Sequence, residues 1–476
     1  MRDFLALPLT LAALLVVFLF LARDSASDSP YGYDEADYMY VASQGFLANY
    51  TDSPTLSIVE FVRMGLGRGR ESGSRGFLSE YIRNSGDIVF YRHWHGPLLA
   101  YWLMTVSTFS TFSTFSNDER VMRLLMLIFP IIGMIVVFLG SLRLFDSLPI
   151  AVMAAAMYSW GHAVARTTEL APHQIFALCS LASLIAAASA VKTGNRRYWY
   201  ASVVCAALAF CALEVSFVLI AALLLFAWQE RASLKLDLRL AIRTVLLFLG
   251  TVLVVHPASL LKLSFVKAYA FMFYLALFRK GAWGNTTLAG TWLVRLENAP
   301  FEWLLIACAL VLFFTDRKSQ TRRYSRVLLY FSTLMVLVTL TVLTDDPRYL
   351  LPFLPVLAVF AAWTIGDWAQ RLTFRRQELL AALVCLLMFT NTNLYVARHP
   401  VTTNLRAIRL LTEIRQQHLQ HSRLIVSQQE LPMIHYYDPQ TKLKSYTDAE
   451  SFRSLVLSGE ADAVVFPDLR LEPVAH

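Results

Sequence analysis

Apolar runs of about 15 to 20 residues recur along most of this chain, and no other feature limits its fold so tightly. In hydrocarbon every backbone N–H and C=O must find a partner inside the protein, and a helix does this within each segment. The first run is 4–22. Others lie near 121–142, 148–165, 173–191, 199–213, 215–228, 241–256, 301–315, 327–343, 350–365 and 378–396. Together they make about eleven spans. Charge agrees: Asp, Glu, Lys and Arg make up 16% of the 476 residues, against about 25% in a soluble domain. The expected fold is therefore an all-α polytopic membrane protein. The first run resembles a signal peptide in position, but its apolar stretch is long for one, so a retained anchor is expected. The net charge of +8 follows from basic loops and does not call for nucleic acid as a partner. All five cysteines lie inside apolar runs, without metal or disulfide spacing.

Loop charge sets the direction. The segment 97–115 is rich in Ser and Thr, and is read as interfacial. With the N-terminus in the cytoplasm, the basic stretches at Arg143, 192–197, 229–239, 315–326 and 367–378 then all fall inside. If 97–115 crossed, they would all fall outside. Four pieces consequently share the outer face: the long loop 23–120, the turn 166–174, the loop 257–300 and "TDDPRY" at 344–349. The tail 397–476 joins them. It reads as a small α/β unit, with helices near 403–420 and 448–458 and strands at 423–427 and 461–466. The expected division is a transmembrane domain over 1–396, with interfacial helices in 23–120, and an extracytoplasmic domain over 397–476.

Three outer pieces carry chemistry. "YGYDEADYMY" sets Asp34, Glu35 and Asp37 within four positions. Acids in a first turn also suit the helix dipole, and composition alone leaves structural and catalytic readings open. "YRHWHGPLLAYWL" places His93 and His95 before Pro97, which starts helices well. Two histidines beside a Trp anchor an interface or donate hydrogen bonds to a phosphate, and they are too few for a zinc site. "TDDPRYLLPFLP" carries Arg348 at a span boundary, where an Arg snorkels or binds a phosphate through two points. Lys262, Lys267, Arg279 and Lys280 in the 257–300 loop are further cations, which lipid headgroups would also attract. Glu214 lies between two short spans on the outer side, where an acid is exposed or paired. The Gly-rich stretch 63–76 lacks the features of a phosphate loop.

The order of these motifs resembles the GT-C membrane glycosyltransferases, closest to the subgroup holding the protein O-mannosyltransferases and the lipid A aminoarabinose transferase. It rests on an acidic "DE-x-x-Y" after the first span, "H-x-P-L-x-x-Y-W" in the same outer loop, and "R-Y-L-L-P-x-x-P" before a late span. It covers about 1–396 and leaves the tail unexplained. The resemblance implies a GT-C-like fold in the plasma membrane, the inner membrane of a bacterium. It implies inverting transfer from a polyprenyl-phosphate sugar to a hydroxyl acceptor at the outer face, with membrane lipid as the further partner. Asp34 matches the catalytic aspartate and Glu35 its neighbouring acid. His95 and Pro97 match an "H-P-P-L" segment in which this chain has Gly96 for the first proline. Arg348 and Tyr349 match the late basic motif near the donor phosphate. His93, Lys267, Glu169 and Glu214 complete the candidate binding set. No cofactor is expected, and a divalent metal is not favoured.

There are departures. Asp37 stands where some relatives carry a basic residue, and Glu169 and His173 flank Pro172 where relatives often have an aspartate. Two other readings compete: a transporter or flippase of a lipid-linked sugar, and a non-catalytic envelope assembly protein. Transporters place charge within their spans and show repeats. Here charge gathers in outer loops.

Overall fold

The computed structural model describes residues 2–43, 95–112, 119–258, 296–316, 322–339, 350–401 and most of 404–474. His93, Lys267, Arg348 and Tyr349 lie outside the described residues, as do Lys262, Arg279, Lys280 and the stretch 63–76.

Every expected span with described residues is largely helical, with 121–142 interrupted at Met126–Leu127 and 148–165 at Trp160–Gly161. In chain order the first helices are α1 (Arg2–Ala22), α2 (Tyr33–Ser43), α3 (Leu98–Phe112), α4 (Glu119–Leu125), α5 (Ile128–Phe145), α6 (Leu148–Ser159), α7 (His162–Ala165), α8 (His173–Thr193) and α9 (Arg196–Phe210). A 3₁₀ turn over Glu214–Ser216 leads into α10 (Phe217–Gln229). Next come α11 (Arg231–Leu234), α12 (Leu238–Val255), α13 (Pro300–Thr315), α14 (Arg322–Thr339), α15 (Leu354–Ala369) and α16 (Phe374–Arg398). Among the described residues four helical stretches are long and apolar enough to cross a membrane by themselves: Glu119–Phe145, His173–Thr193, Leu238–Val255 and Phe374–Arg398. Several shorter apolar helices pack among them.

Burial separates centre from rim. Helix α8 has 78% of its apolar window inside the protein and α12 only 11%. The rim side of α12 exposes Leu246 and Val254, which suits contact with acyl chains. Helix α15 is central. Its Trp363 is fully buried and donates its indole N–H to Ser141 on α5 at 2.7 Å. Small residues allow this closeness. A Cβ at Gly366 would meet Ile150 on α6, and one at Gly140 would meet Ile185 on α8.

Beyond α16 the tail forms α17 (Leu405–Gln416), β1 (Arg423–Ser427), α18 (Leu431–Tyr437), β2 (Lys442–Tyr446), α19 (Ala449–Leu457), β3 (Ala463–Val465) and β4 (Leu471–Pro473). The sheet runs β2-β1-β3-β4, with β1 parallel to both neighbours and β3 antiparallel to β4. The sequence anticipates α17, β1, α19 and β3 but not α18, β2 or β4. Leu424 and Val426 join the main apolar core, whereas Ile425, Ala461 and Val464 form a separate cluster on the other face of the sheet.

Side-chain contacts sort the connections into two groups. At one end Lys192 reaches the carbonyls of Arg143 and Leu144, Arg196 pairs with Asp237, Arg323 with Glu230, and Arg371 with Asp316. The segment 25–31, helix α2, the turn 166–172 and the tail meet at the other end. The basic loops thus cluster apart from the acidic helix.

Candidate active site

Helix α2 starts after Pro30 and Gly32, with the Ala36 N–H donating to the Gly32 carbonyl at 2.8 Å. Its first turn carries Asp34 and Glu35, adjacent positions that face different ways. Glu35 turns inward. The Arg123 guanidinium on α4 grips both its carboxylate oxygens, with Nε donating to Oε1 at 2.9 Å and Nη2 donating to Oε2. The Leu170 N–H also donates to Oε1, at 3.1 Å. Arg123 spends its remaining donors on the lead-in to α2, reaching the carbonyls of Ser27 at 2.8 Å, Ser29 at 2.7 Å and Pro30 at 3.4 Å. Its guanidinium lies over the Tyr31 ring, 5.3 Å from the centroid. A two-point Arg–carboxylate fork is geometrically rigid. This fork fixes the start of α2 against α4 and the 166–172 turn.

Asp34 is half-buried, as is Asp37 three positions on. Asp34 shares a helical strip with Tyr38, one turn later. The Tyr38 ring lies 5.8 Å from that of His95. His95 in turn bonds through Nδ1 to Glu214 Oε2 at 2.7 Å, and both side chains are only about a tenth exposed. Two residues distant in sequence, His95 and Glu214, thus converge beside the strip that carries Asp34. Glu214 is displayed by the 3₁₀ turn between α9 and α10. His95 is placed by a close approach of main chains: a Cβ on Gly96 would sit 1.8 Å from the Cys211 carbonyl oxygen, and the Leu98 N–H points to that same oxygen at 3.4 Å. Only glycine fits there.

Glu169 is exposed, next to the Leu170 amide that holds Glu35, and Thr168 in the same turn donates to the Ser25 carbonyl at 2.9 Å. His173 is half-buried at the start of α8. Among the described residues, no three side chains of His, Cys, Asp or Glu gather where one ion could bind them.

Sequence reasoning passed over Arg123. It reads as one more basic flank of a span, and its signal was a cation one turn inside an apolar run. A second buried pair was also missed. His162 Nδ1 and Glu302 Oε2 lie 3.4 Å apart, both 1% exposed, with the Tyr395 ring 4.8 Å from the imidazole.

The model of the family described as dolichyl-phosphate-mannose-protein mannosyltransferase matches residues 95–259. No curated protein matches the chain. Among solved structures, ArnT from Cupriavidus metallidurans bound to undecaprenyl phosphate superposes with a TM-score of 0.58 at 13% identity, covering 95% of this chain and 88% of that one. Archaeal oligosaccharyltransferase AglB from Archaeoglobus fulgidus, in complex with an inhibitory peptide and a dolichol-phosphate, gives 0.59 at 11% identity over 96% of this chain and 68% of that one. The resemblance to GT-C membrane glycosyltransferases holds, and the fold is the one these two proteins share.

Proposed function

We propose that this chain is an inverting glycosyltransferase that moves a sugar from a polyprenyl-phosphate-linked donor to a hydroxyl acceptor at the outer face of the membrane. The observation that carries the reading is the placement of Asp34. It sits at the head of a helix locked by the Glu35–Arg123 fork, on the strip that meets the His95–Glu214 pair. The matched family description and the ligands named in the two structural relatives, undecaprenyl phosphate and dolichol-phosphate, favour a lipid-phosphate donor.

In this reading the acceptor oxygen attacks C1 of the sugar while its proton passes to the Asp34 carboxylate. The O–C1 bond forms as the bond from C1 to the phosphate oxygen breaks, and the lipid phosphate leaves with the electron pair. Attack from the face opposite the phosphate inverts C1. Charge then grows on the leaving phosphate and needs donors placed in advance. His95 is one candidate: Nδ1 meets Glu214, and a carboxylate partner favours the ring protonated on both nitrogens, the form that attracts a phosphate. Arg348, Tyr349, Lys267 and His93, all in outer segments by the charge rule, complete the phosphate and sugar contacts, with Glu169 at the rim. Glu35, whose two oxygens are engaged by Arg123, acts as a positioning residue for Asp34. No metal enters this scheme.

The test is release of undecaprenyl phosphate from a panel of undecaprenyl-phosphate-linked sugars by the purified protein in nanodiscs, with sugar, peptide and lipid alcohols as acceptors. Asp34→Asn is expected to lower turnover by about 10²–10⁴-fold while undecaprenyl phosphate still binds. Turnover retained in that variant removes the base assignment. Arg348→Ala is expected to weaken binding of undecaprenyl phosphate, and unchanged affinity removes its phosphate role.

A further inference from the structure

The tail lies directly on the helix that carries Asp34. The segment Ser27–Tyr31, which feeds α2, is held from two sides. Arg123 holds it from the bundle through the carbonyls of Ser27, Ser29 and Pro30. The tail holds it from above. The Tyr437 hydroxyl, on α18, accepts the Tyr31 N–H at 2.8 Å and donates to a Glu119 carboxylate oxygen at 2.7 Å. The Asn404 N–H donates to the Ser29 hydroxyl. The Tyr31 ring, 1% exposed, meets Tyr436 edge-on at 5.5 Å and stacks on Tyr437 at 6.2 Å. Further along α2, the Tyr40 ring meets His435 edge-on at 4.6 Å.

We infer that Tyr437 is a positioning residue for Asp34: one tail hydroxyl ties the last residues before α2 to α4, and with Arg123 sets the angle at which the helix presents its carboxylate. This deepens the transferase reading and rests on it. The Tyr31 amide is a buried donor three residues before Asp34, and such a donor needs a partner. Burial and the bond to Glu119 push the Tyr437 hydroxyl well above the usual tyrosine range, so it keeps its proton, and its donor, at any pH the enzyme meets. A lever so close to the reacting group matters, because a displacement of about 1 Å at a catalytic group costs on the order of 10²-fold in rate. The tail's second apolar cluster, around Ile425 and Val464, lies on the other face of the sheet from this contact. Loss of one hydroxyl on α18 therefore need not unfold the unit.

The experiment compares wild type, Tyr437→Phe and Asp34→Asn, full length in nanodiscs, by hydrogen–deuterium exchange, undecaprenyl phosphate binding and turnover of an undecaprenyl-phosphate-linked sugar. Tyr437→Phe keeps the ring and removes both hydrogen bonds. Exchange over Ala36–Tyr40 is expected to quicken by about tenfold, with β1 and β3 unchanged. Turnover is expected to fall by roughly tenfold at unchanged undecaprenyl phosphate affinity. Unaltered exchange in α2 overturns the proposal, and so does loosening of the sheet in step with α2, which would make Tyr437 a residue of tail stability only. Unchanged turnover with a loosened α2 also overturns it. The exchange measurement needs no turnover, so it decides whether Tyr437 holds α2 even if no donor is used. Asp34→Asn with full turnover would instead sink the base assignment on which this inference rests, and wild type that turns over no donor in the panel would sink the transferase reading.

Discussion

At the residue scale the site rests on a division of labour between adjacent acids. Asp34 and Glu35 look alike in the sequence, and the resemblance pairs them as catalytic. The structure gives Glu35 an interior position with both oxygens occupied, while Asp34 remains half-buried. What separates them is Arg123, whose pairing across 88 residues no local pattern announces. Removing one member of a buried ion pair strands the other charge. Arg123→Ala is therefore expected to destabilise the protein by about 3–5 kcal/mol. The apolar double variant Glu35→Leu with Arg123→Met should recover much of that loss, because neither charge is left buried alone. Thermal midpoints in one detergent check both, and a double variant no better than Arg123→Ala would contradict the pairing account. The His95–Glu214 contact was legible in the same partial way. Both residues stood out for their chemistry, but the 119-residue gap between them hid the pair until the turn before α10 met the start of α3.

At the element scale the helices were the readable part, because apolar runs that long have few other stable forms. The tail was half readable. Strand β2 went unseen because it lies at a sheet edge and alternates exposed Lys442 and Lys444 with the half-buried Leu443, the charged dress of edge strands. Helix α3 shows how one residue positions an element. At 15 residues it is about 22 Å long, short of a hydrocarbon layer about 30 Å thick. It contacts the Cys211 carbonyl, the Val255 carbonyl through Tyr101 and the Phe129 ring through Trp102. Cys211 and Val255 close their helices and Phe129 opens its own, so the first turn of α3 lies against one end of the bundle. Gly96 permits this. The family pattern has proline there, and this chain departs from it where a Cβ would strike main chain rather than a movable side chain. Restoring the family residue should therefore do harm. Gly96→Pro is expected to cost about 1–3 kcal/mol and to displace His95 from Glu214. A thermal midpoint equal to wild type, with transfer intact, would show that the Cys211 loop yields easily.

At the scale of the whole molecule, function depends on which end faces out. Helix α5 runs from the neighbourhood of Arg123 to Phe145, whose carbonyl accepts the Gln370 side chain, so it links the acidic end to the basic end. Helix α16 runs back, from the exposed Arg375 and Arg376 to His399, whose carbonyl accepts from Arg166 in the 166–172 turn. The acidic helix, the turn and the tail therefore share one side, and the basic loops share the other. Positive loops tend to stay cytoplasmic, and the proposed orientation, with Asp34 outside, rests on that rule. The orientation is open to direct labelling. A cysteine replacing Ser454, exposed on α19, is expected to react with an impermeant maleimide in intact cells. One replacing Arg375 should react only after permeabilisation. The native thiols lie in or at the ends of apolar helices, and the unsubstituted protein supplies the background. The reverse pattern would turn the molecule over and place Asp34 in the cytoplasm, where a donor exposed on the outer leaflet could not reach it. Labelling of both from outside would break the pairing of ends by α16, since one helix of 25 residues separates the Arg375 loop from the tail.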